Sequence, residues 1–227
     1  MQVKYDIYGY RNFDRSLRFF QLLGTEMTIH ERTPPRSARN CPSLCSFQDS
    51  LIFVIGGGSL EDYREFDDSV EVYSTETDTW STGPSLNTSR MHHSSCAVRQ
   101  TIYTFCGANF TQGDLASIER LNARDVILSQ QGSAKKPEWE LIQPALAPGC
   151  TSGLTGRTNP LIASLRSDSG QIMIMGGFSG GCLNDCFIYD VSKNHLLKKE
   201  KEVSTASTPK VNQKSGSSPI ALRSFGN

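Results

Sequence analysis

The chain has 227 residues, and 23 lysines and arginines balance 23 aspartates and glutamates, so the formal net charge is zero. That balance argues against nucleic acid or an anionic membrane as a partner, and 20% charged with 37% hydrophobic residues is the composition of a folded chain rather than a disordered one. No run approaches the roughly 18 apolar residues of a membrane span, the start MQVKYDIYGYRNF lacks the apolar core of a secretory signal, and an odd count of seven cysteines fits reduced thiols in the cytoplasm.

In chain order, Tyr5-Asp6-Ile7-Tyr8-Gly9 reads as a short strand ending in glycine. Ser16 to Phe20 follows as a second strand, and Met27 as a large apolar residue after a turn. The next unit is fuller. Arg39 leads a strand from Pro42 to Phe47 with the small Cys45 inside it. Five apolar residues, Leu51 to Ile55, then suit a strand buried on both faces. Gly56-Gly57-Gly58 and an acidic loop come next. Ser69-Val70-Glu71-Val72-Tyr73 alternates with period two, as a half-buried strand does. The polar turn STETDT separates Tyr73 from Trp80.

The same order recurs twice. Arg90 leads His93 to Val98, with Cys96 inside; Thr101 to Phe105 runs into Cys106-Gly107; Ser117 to Leu121 alternates. Residues 122–137 read as an insertion that displaces the large residue to Trp139. Arg157 then leads Pro160 to Leu165, with Ala163 inside; Ile172 to Met175 runs into Gly176-Gly177; Asp185 to Tyr189 follows, and Leu196 stands where Trp80 did. Gly9, Gly57, Gly107 and Gly177 are 48, 50 and 70 residues apart. A four-strand unit of roughly 40–50 residues is the period of a β-propeller blade.

With these residues in place, the chain resembles the kelch-repeat family. The resemblance rests on Gly56-Gly57, Gly176-Gly177, Gly107 without its first glycine, Tyr73 with Trp80, Trp139, Tyr189, and the arginines Arg39, Arg90 and Arg157. It implies an all-β fold, a β-propeller with about four recognisable blades over residues 1–200, incomplete or open. Kelch propellers usually close with six blades. Residues 201–227 are rich in Ser, Thr and Lys and read as a flexible tail, with PIALRSFGN as a lone last strand. Tyr73 and Trp80 are expected to fill space between blades, each with a polar tip that needs a partner.

The resemblance also implies a role. In kelch propellers that grip a peptide, arginines matching Arg39, Arg90 and Arg157 line the mouth of the channel, which would suit an acidic protein or peptide. The alternative is structural: the same arginines would satisfy carbonyls at strand ends. The loop at 58–68 and the insertion are the expected places for partner contacts. The reading is a non-catalytic protein-interaction module, a substrate adaptor or cytoskeletal binder, with no cofactor. An enzyme on a propeller, an oxidase or a sugar isomerase, is the alternative from another class.

Other chemistries fit poorly. A phosphate cradle needs a helix after its glycines, and SLEDYREFDDS has no helical stripe. Cys41 with Cys45 and Cys182 with Cys186 are CxxxC pairs that could hold zinc, but Cys45 and Cys186 fall inside predicted strands. His92 and His93 are adjacent on a strand and point to opposite faces. The carboxylates Glu61, Asp62, Glu65, Asp67 and Asp68 read as a solvated loop.

Overall fold

A computed structural model describes residues 4–11, 16–23, 26–48, 50–62, 64–165 and 169–199, with side chains from residue 27 onward. The tail 201–227, with the strand expected in PIALRSFGN, lies outside the described residues. The fold is all-β with one short helix.

An N-terminal antiparallel sheet has the order β1 (Lys4–Arg11), β2 (Ser16–Leu23), β3 (Glu26–Arg32). The first full repeat is β4 (Ser43–Phe47), β5 (Leu51–Gly58), β6 (Phe66–Ser74) and β7 (Thr79–Thr82), paired in that order. The second repeat holds β8 (Ser94–Val98), β9 (Thr101–Phe105), a small hairpin β10 (Ala108–Asn109) and β11 (Gly113–Asp114), β12 (Ile118–Asn122), the helix α1 (Ala123–Gln130) and β13 (Glu140–Ile142). Its sheet order is β8-β9-β12-β13. After β14 (Ala145–Leu146), the third repeat is β15 (Leu161–Leu165), β16 (Gln171–Met175), β17 (Cys186–Asp190) and β18 (His195–Lys199), with β14 parallel to β18 at the outer edge.

Alternation along the strands gives every repeat two apolar faces, and neighbouring repeats stack face to face. One face of the first repeat (Cys45, Phe47, Phe53, Ile55, Val70, Val72) packs on Ile102, Leu121, Val126 and Trp139 of the second. The corresponding face of the second (Tyr103, Phe105, Ile118) packs on Ile172, Ile174, Phe187, Tyr189 and Leu196 of the third. Each fully buried Phe or Ile contributes about 1.5–3 kcal/mol by leaving water, so these two seams carry most of the cohesion.

The expected fillers behave as their polar tips require. Tyr73 is buried with its ring centroid 5.1 Å from that of Trp80. Its hydroxyl donates to Asp78 Oδ1 at 2.6 Å, and Trp80 Nε1 donates to the Thr33 carbonyl at 2.7 Å. Tyr189 repeats the pattern on Asn194 at 2.9 Å. Asp78 and Asn194 both take left-handed backbone (φ 52° and 53°) at the turn. Trp139 is buried in the first seam and donates to the Pro84 carbonyl at 2.9 Å. Leu196 is buried as expected, whereas Met27 is exposed.

The insertion differs from the expected displayed loop. Asn122 caps α1 by accepting from Arg124 N, Ala123 and Val126 enter the first seam, and Gln130 Nε2 donates to Ser81 Oγ at 2.8 Å. The helix therefore braces the outer edge of the first repeat against the second. It takes the place of the tyrosine-anchored turn, because Leu121 stands where Tyr73 and Tyr189 do.

The glycine turns hold the stack together. Gly57 N–H donates to the Arg90 carbonyl and Gly107 N–H to the Arg157 carbonyl, both at 2.8 Å, so each glycine bonds the next repeat. A second rung runs from His92 N–H to the Cys41 carbonyl and from Asn159 N–H to the His92 carbonyl. Gly57 sits at φ 109°, and a Cβ there would lie 2.9 Å from the Asn40 carbonyl oxygen. Cys106, which replaces the first glycine of its pair, is held in the same left-handed region at φ 62°.

Two outcomes follow for stability. Gly57→Ala should cost about 3 kcal/mol through backbone strain and the close approach, against about 1 kcal/mol for Gly113→Ala, where φ is also positive but space is open; urea melts of both variants check this. His93 is buried beside the Gly56 turn of the first repeat. Burial, then the Arg90 charge, lowers its pKa from 6.5 to about 3. The unfolded chain therefore takes up a proton below pH 6.5 that the folded chain refuses. Stability should fall by about 1.4 kcal/mol per pH unit from pH 6.5 toward 3, and His93→Leu should flatten that slope between pH 6.5 and 4.5.

Candidate functional site

Each repeat-leading arginine is buried, at 1% exposure for Arg39 and 0% for Arg90 and Arg157. Nη1 of each donates to the carbonyl at the first glycine position of its own repeat. The acceptors are Gly56, Cys106 and Gly176, at 3.0, 2.9 and 3.0 Å. A second partner comes four residues before the Tyr73, Leu121 or Tyr189 position. Arg39 Nη2 donates to Ser69 Oγ at 3.0 Å and Arg90 Nη2 to Ser117 Oγ at 3.1 Å. Arg157 reaches Asp185 with both nitrogens, at 2.5 and 3.1 Å.

A carboxylate completes each cluster. Glu119 lies 2.5 Å from Arg90 Nη2 with neither side chain exposed. Glu71 and Asp67 lie 3.8 and 3.6 Å from Arg39. In the third repeat Phe187 occupies the Glu71 position, so Asp185 supplies the charge and the guanidinium lies 5.4 Å from the Phe187 ring centroid. The bond from Arg157 holds the Asp185 carboxyl below the usual carboxylate range. Burial draws Arg90 below its usual range while Glu119 opposes the shift.

These contacts correct the expectation that Arg39, Arg90 and Arg157 line an open mouth. The guanidinium forks face inward and hold strand-end carbonyls, which was the structural alternative. The carboxylate partners carry their own sequence signal, since Ser-x-Glu precedes both Tyr73 and Leu121 by the same offset. Asp67 likewise belongs to the framework rather than to a solvated loop, since it accepts from Ser69 N and Ser69 Oγ.

An accessible site lies between two loops. A cleft of about 630 Å³ opens between the loop joining β5 to β6 and the tip of the β10–β11 hairpin, lined by Arg64, Glu65, Phe66, Ser89, Asn109 and Phe110 among others. Asn109 Oδ1 accepts from Thr111 N, Thr111 Oγ1 and Gln112 N, and its Nδ2 donates to the Ser89 carbonyl at 2.7 Å. One side chain thus fixes the hairpin tip and ties it to the segment ahead of Arg90. Phe110 projects from that tip with 64% of its surface exposed. Across the cleft, Ser59 Oγ accepts from Glu61 N and Asp62 N, and Asp62 Oδ1 from Arg64 N. Both walls therefore carry short-range hydrogen bonds among their described residues. The signal for Phe110 was an aromatic inside the polar turn NFTQG.

Burial pushes Cys45 far above the ordinary thiol range, and Cys96 up to about 12. Among the described residues no three His, Cys, Asp or Glu side chains gather as a metal site requires.

The arginine clusters predict a large asymmetry between buried and exposed pairs. Arg90→Met should cost about 3–5 kcal/mol, because it leaves the Glu119 carboxylate buried and unpaired. Arg90→Lys should recover little, since an ammonium cannot span carbonyl, hydroxyl and carboxylate in one plane. Arg120→Met, which removes the exposed pair with Glu140, should cost under about 1 kcal/mol. Denaturant melts of the three variants give the ranking.

Comparison with known proteins adds one finding. The Kelch motif matches residues 39–87, which span the first arginine, both glycines, Tyr73 and Trp80. No curated protein sequence matches the chain. Residues 39–87 match the kelch motif, so this repeat is similar to those of kelch-repeat proteins.

Proposed function

We propose that the repeats are blades of a kelch-type β-propeller and that the chain is a non-catalytic module that binds a partner protein in the cleft between the 58–66 loop and the β10–β11 hairpin. Kelch motifs serve in general as protein-interaction modules. The observation that carries the reading is Phe110, an exposed aromatic on a tip held rigid by Asn109, facing a cleft that also presents Arg64. Rigid aromatics beside arginine are the residue types that dominate binding energy at protein interfaces. With Arg39, Arg90 and Arg157 buried, preference for an acidic partner loses its basis. The cleft carries Arg64 against Glu65 and Asp67, so shape and aromatic contact lead recognition.

A substrate-adaptor or cytoskeletal role both remain within this reading. Its setting is the cytoplasm, which the seven unpaired cysteines support.

Selection of peptides from a random library on the immobilised chain tests the site. Selected peptides should lose at least about tenfold in affinity on Phe110→Ala and on Arg64→Ala, and nothing on Arg120→Ala, remote from the cleft. Peptides that bind all three variants equally would remove the cleft from the account.

A further inference from the structure

On the reading that the cleft between the 58–66 loop and the β10–β11 hairpin is the binding site, we propose that its occupant is a basic segment of the partner protein, one of whose arginine or lysine side chains lies against Phe110. The chain as a whole is neutral, with 23 bases and 23 acids, but the two walls of the cleft are not. Residues 58–68 carry Glu61, Asp62, Glu65, Asp67 and Asp68 with Arg64 as their single base, and the hairpin 108–114 adds Asp114 and no base.

The buried arginines nearby do not offset these acids, because each has anions of its own. Arg39 is paired with Asp67 and Glu71, and Arg90 with Glu119. Setting Asp67 aside with Arg39 leaves Glu61, Asp62, Glu65, Asp68 and Asp114, all exposed, against the one exposed guanidinium of Arg64. Glu61, Glu65, Asp68 and Asp114 form no ion pair among the described residues. Glu61 and Asp62 are kept in the loop's turn by Ser59 Oγ, which accepts from both of their N–H groups. Charges of one sign along a concave wall focus their field on the opening. An acidic segment entering there meets repulsion from both walls, and a basic one is drawn by both.

The rings give the cation a second attraction. The exposed Phe110 and the half-buried Phe66 line the cleft together with Glu65. An aromatic face attracts a cation through its ring electrons, and a carboxylate beside it attracts the same group through charge. The third repeat holds this combination inside the fold. There the Arg157 guanidinium lies 5.4 Å from the Phe187 ring centroid while Asp185 accepts from both of its terminal nitrogens. At the cleft the partner supplies the cation. Arg64 meets the same segment through its main-chain carbonyls, which are acceptors in any sequence.

Peptides selected from a random library on the immobilised full chain should carry more arginine and lysine than the unselected library, and less aspartate and glutamate. Glu61→Lys with Glu65→Lys should bind the same peptides at least about tenfold more weakly, mostly through slower association. Raising NaCl from about 50 to 500 mM should weaken binding to the wild-type chain more than to this variant. Glu76→Lys with Glu138→Lys makes the same change in net charge outside the cleft, on the turn beyond the far end of β6 and ahead of β13, and should bind as the wild type does. Glu61 and Glu65 are exposed, circular dichroism verifies the fold, and Glu65→Lys alone replaces the pair if the pair fails to fold. Selected peptides that depend on Phe110 without an excess of basic residues, or that bind both double variants equally, overturn the proposal and leave the cleft as the site. Peptides that ignore Phe110 overturn the cleft itself, and the proposal with it.

Discussion

A guanidinium taken out of water is stable only if its donors are met. Three such groups set the geometry of this fold. Each arginine ties the start of its inner strand to the carbonyl at the first glycine position and to a polar residue on the third strand. Isolated in a low-dielectric interior the charge would be prohibitive; with a carbonyl, a hydroxyl or carboxylate and an ion partner it becomes a cross-brace. The same residues act twice, since the backbone carbonyls of Arg90 and Arg157 accept from the glycine of the preceding repeat. The side chain closes its own repeat and the main chain joins the one before. Glycine is required at 57 because the chain must pass close to the Asn40 carbonyl at a backbone angle that side chains avoid.

That constraint also decides where recognition can lie. Charges committed to an interior brace are unavailable to a ligand. On the proposed reading, contact with a partner falls to residues that take no part in the arginine braces, such as Arg64 and Phe110 on the two walls of the cleft. Asn109 folds the hairpin tip and Ser59 with Asp62 folds the opposite loop, each through short-range bonds. Local order of this kind lets loops differ between repeats without disturbing the stack. In the proposed reading, a hairpin tip fixed by Asn109 also lowers the entropic cost of binding.

Most of the framework was legible in the sequence because it obeys short rules. Alternation located the strands, and a glycine after a strand located the turns. The order of arginine, glycine, tyrosine and tryptophan located the repeats. The role of the arginines was not legible, because one residue at one offset serves a channel mouth and an internal brace equally well. Only its partners distinguish the two, and Glu119 meets Arg90 across 29 residues of chain. The helix at 123–130 was hidden for a different reason. Its apolar content is low, and it is held by a cap at Asn122 and two buried residues rather than by a full apolar stripe. Phe110 gives no repeat signal, because an aromatic in a polar turn breaks the repeat pattern instead of repeating it.

The third repeat shows that the requirement is for charge balance rather than for particular residues. The first two repeats place serine and glutamate two residues apart on the strand that faces the arginine. The third has Asp185 where the serine would be and Phe187 where the glutamate would be. The aspartate supplies both hydrogen bonds and the negative charge, which frees the other position for an aromatic that packs into the second seam and lies beside the guanidinium. The carboxylate stands at 185 instead of 187, and the brace is kept. Two sequences can therefore build the same brace as long as each buried cation has an anion within reach, so the repeats agree in chemistry where they differ in sequence.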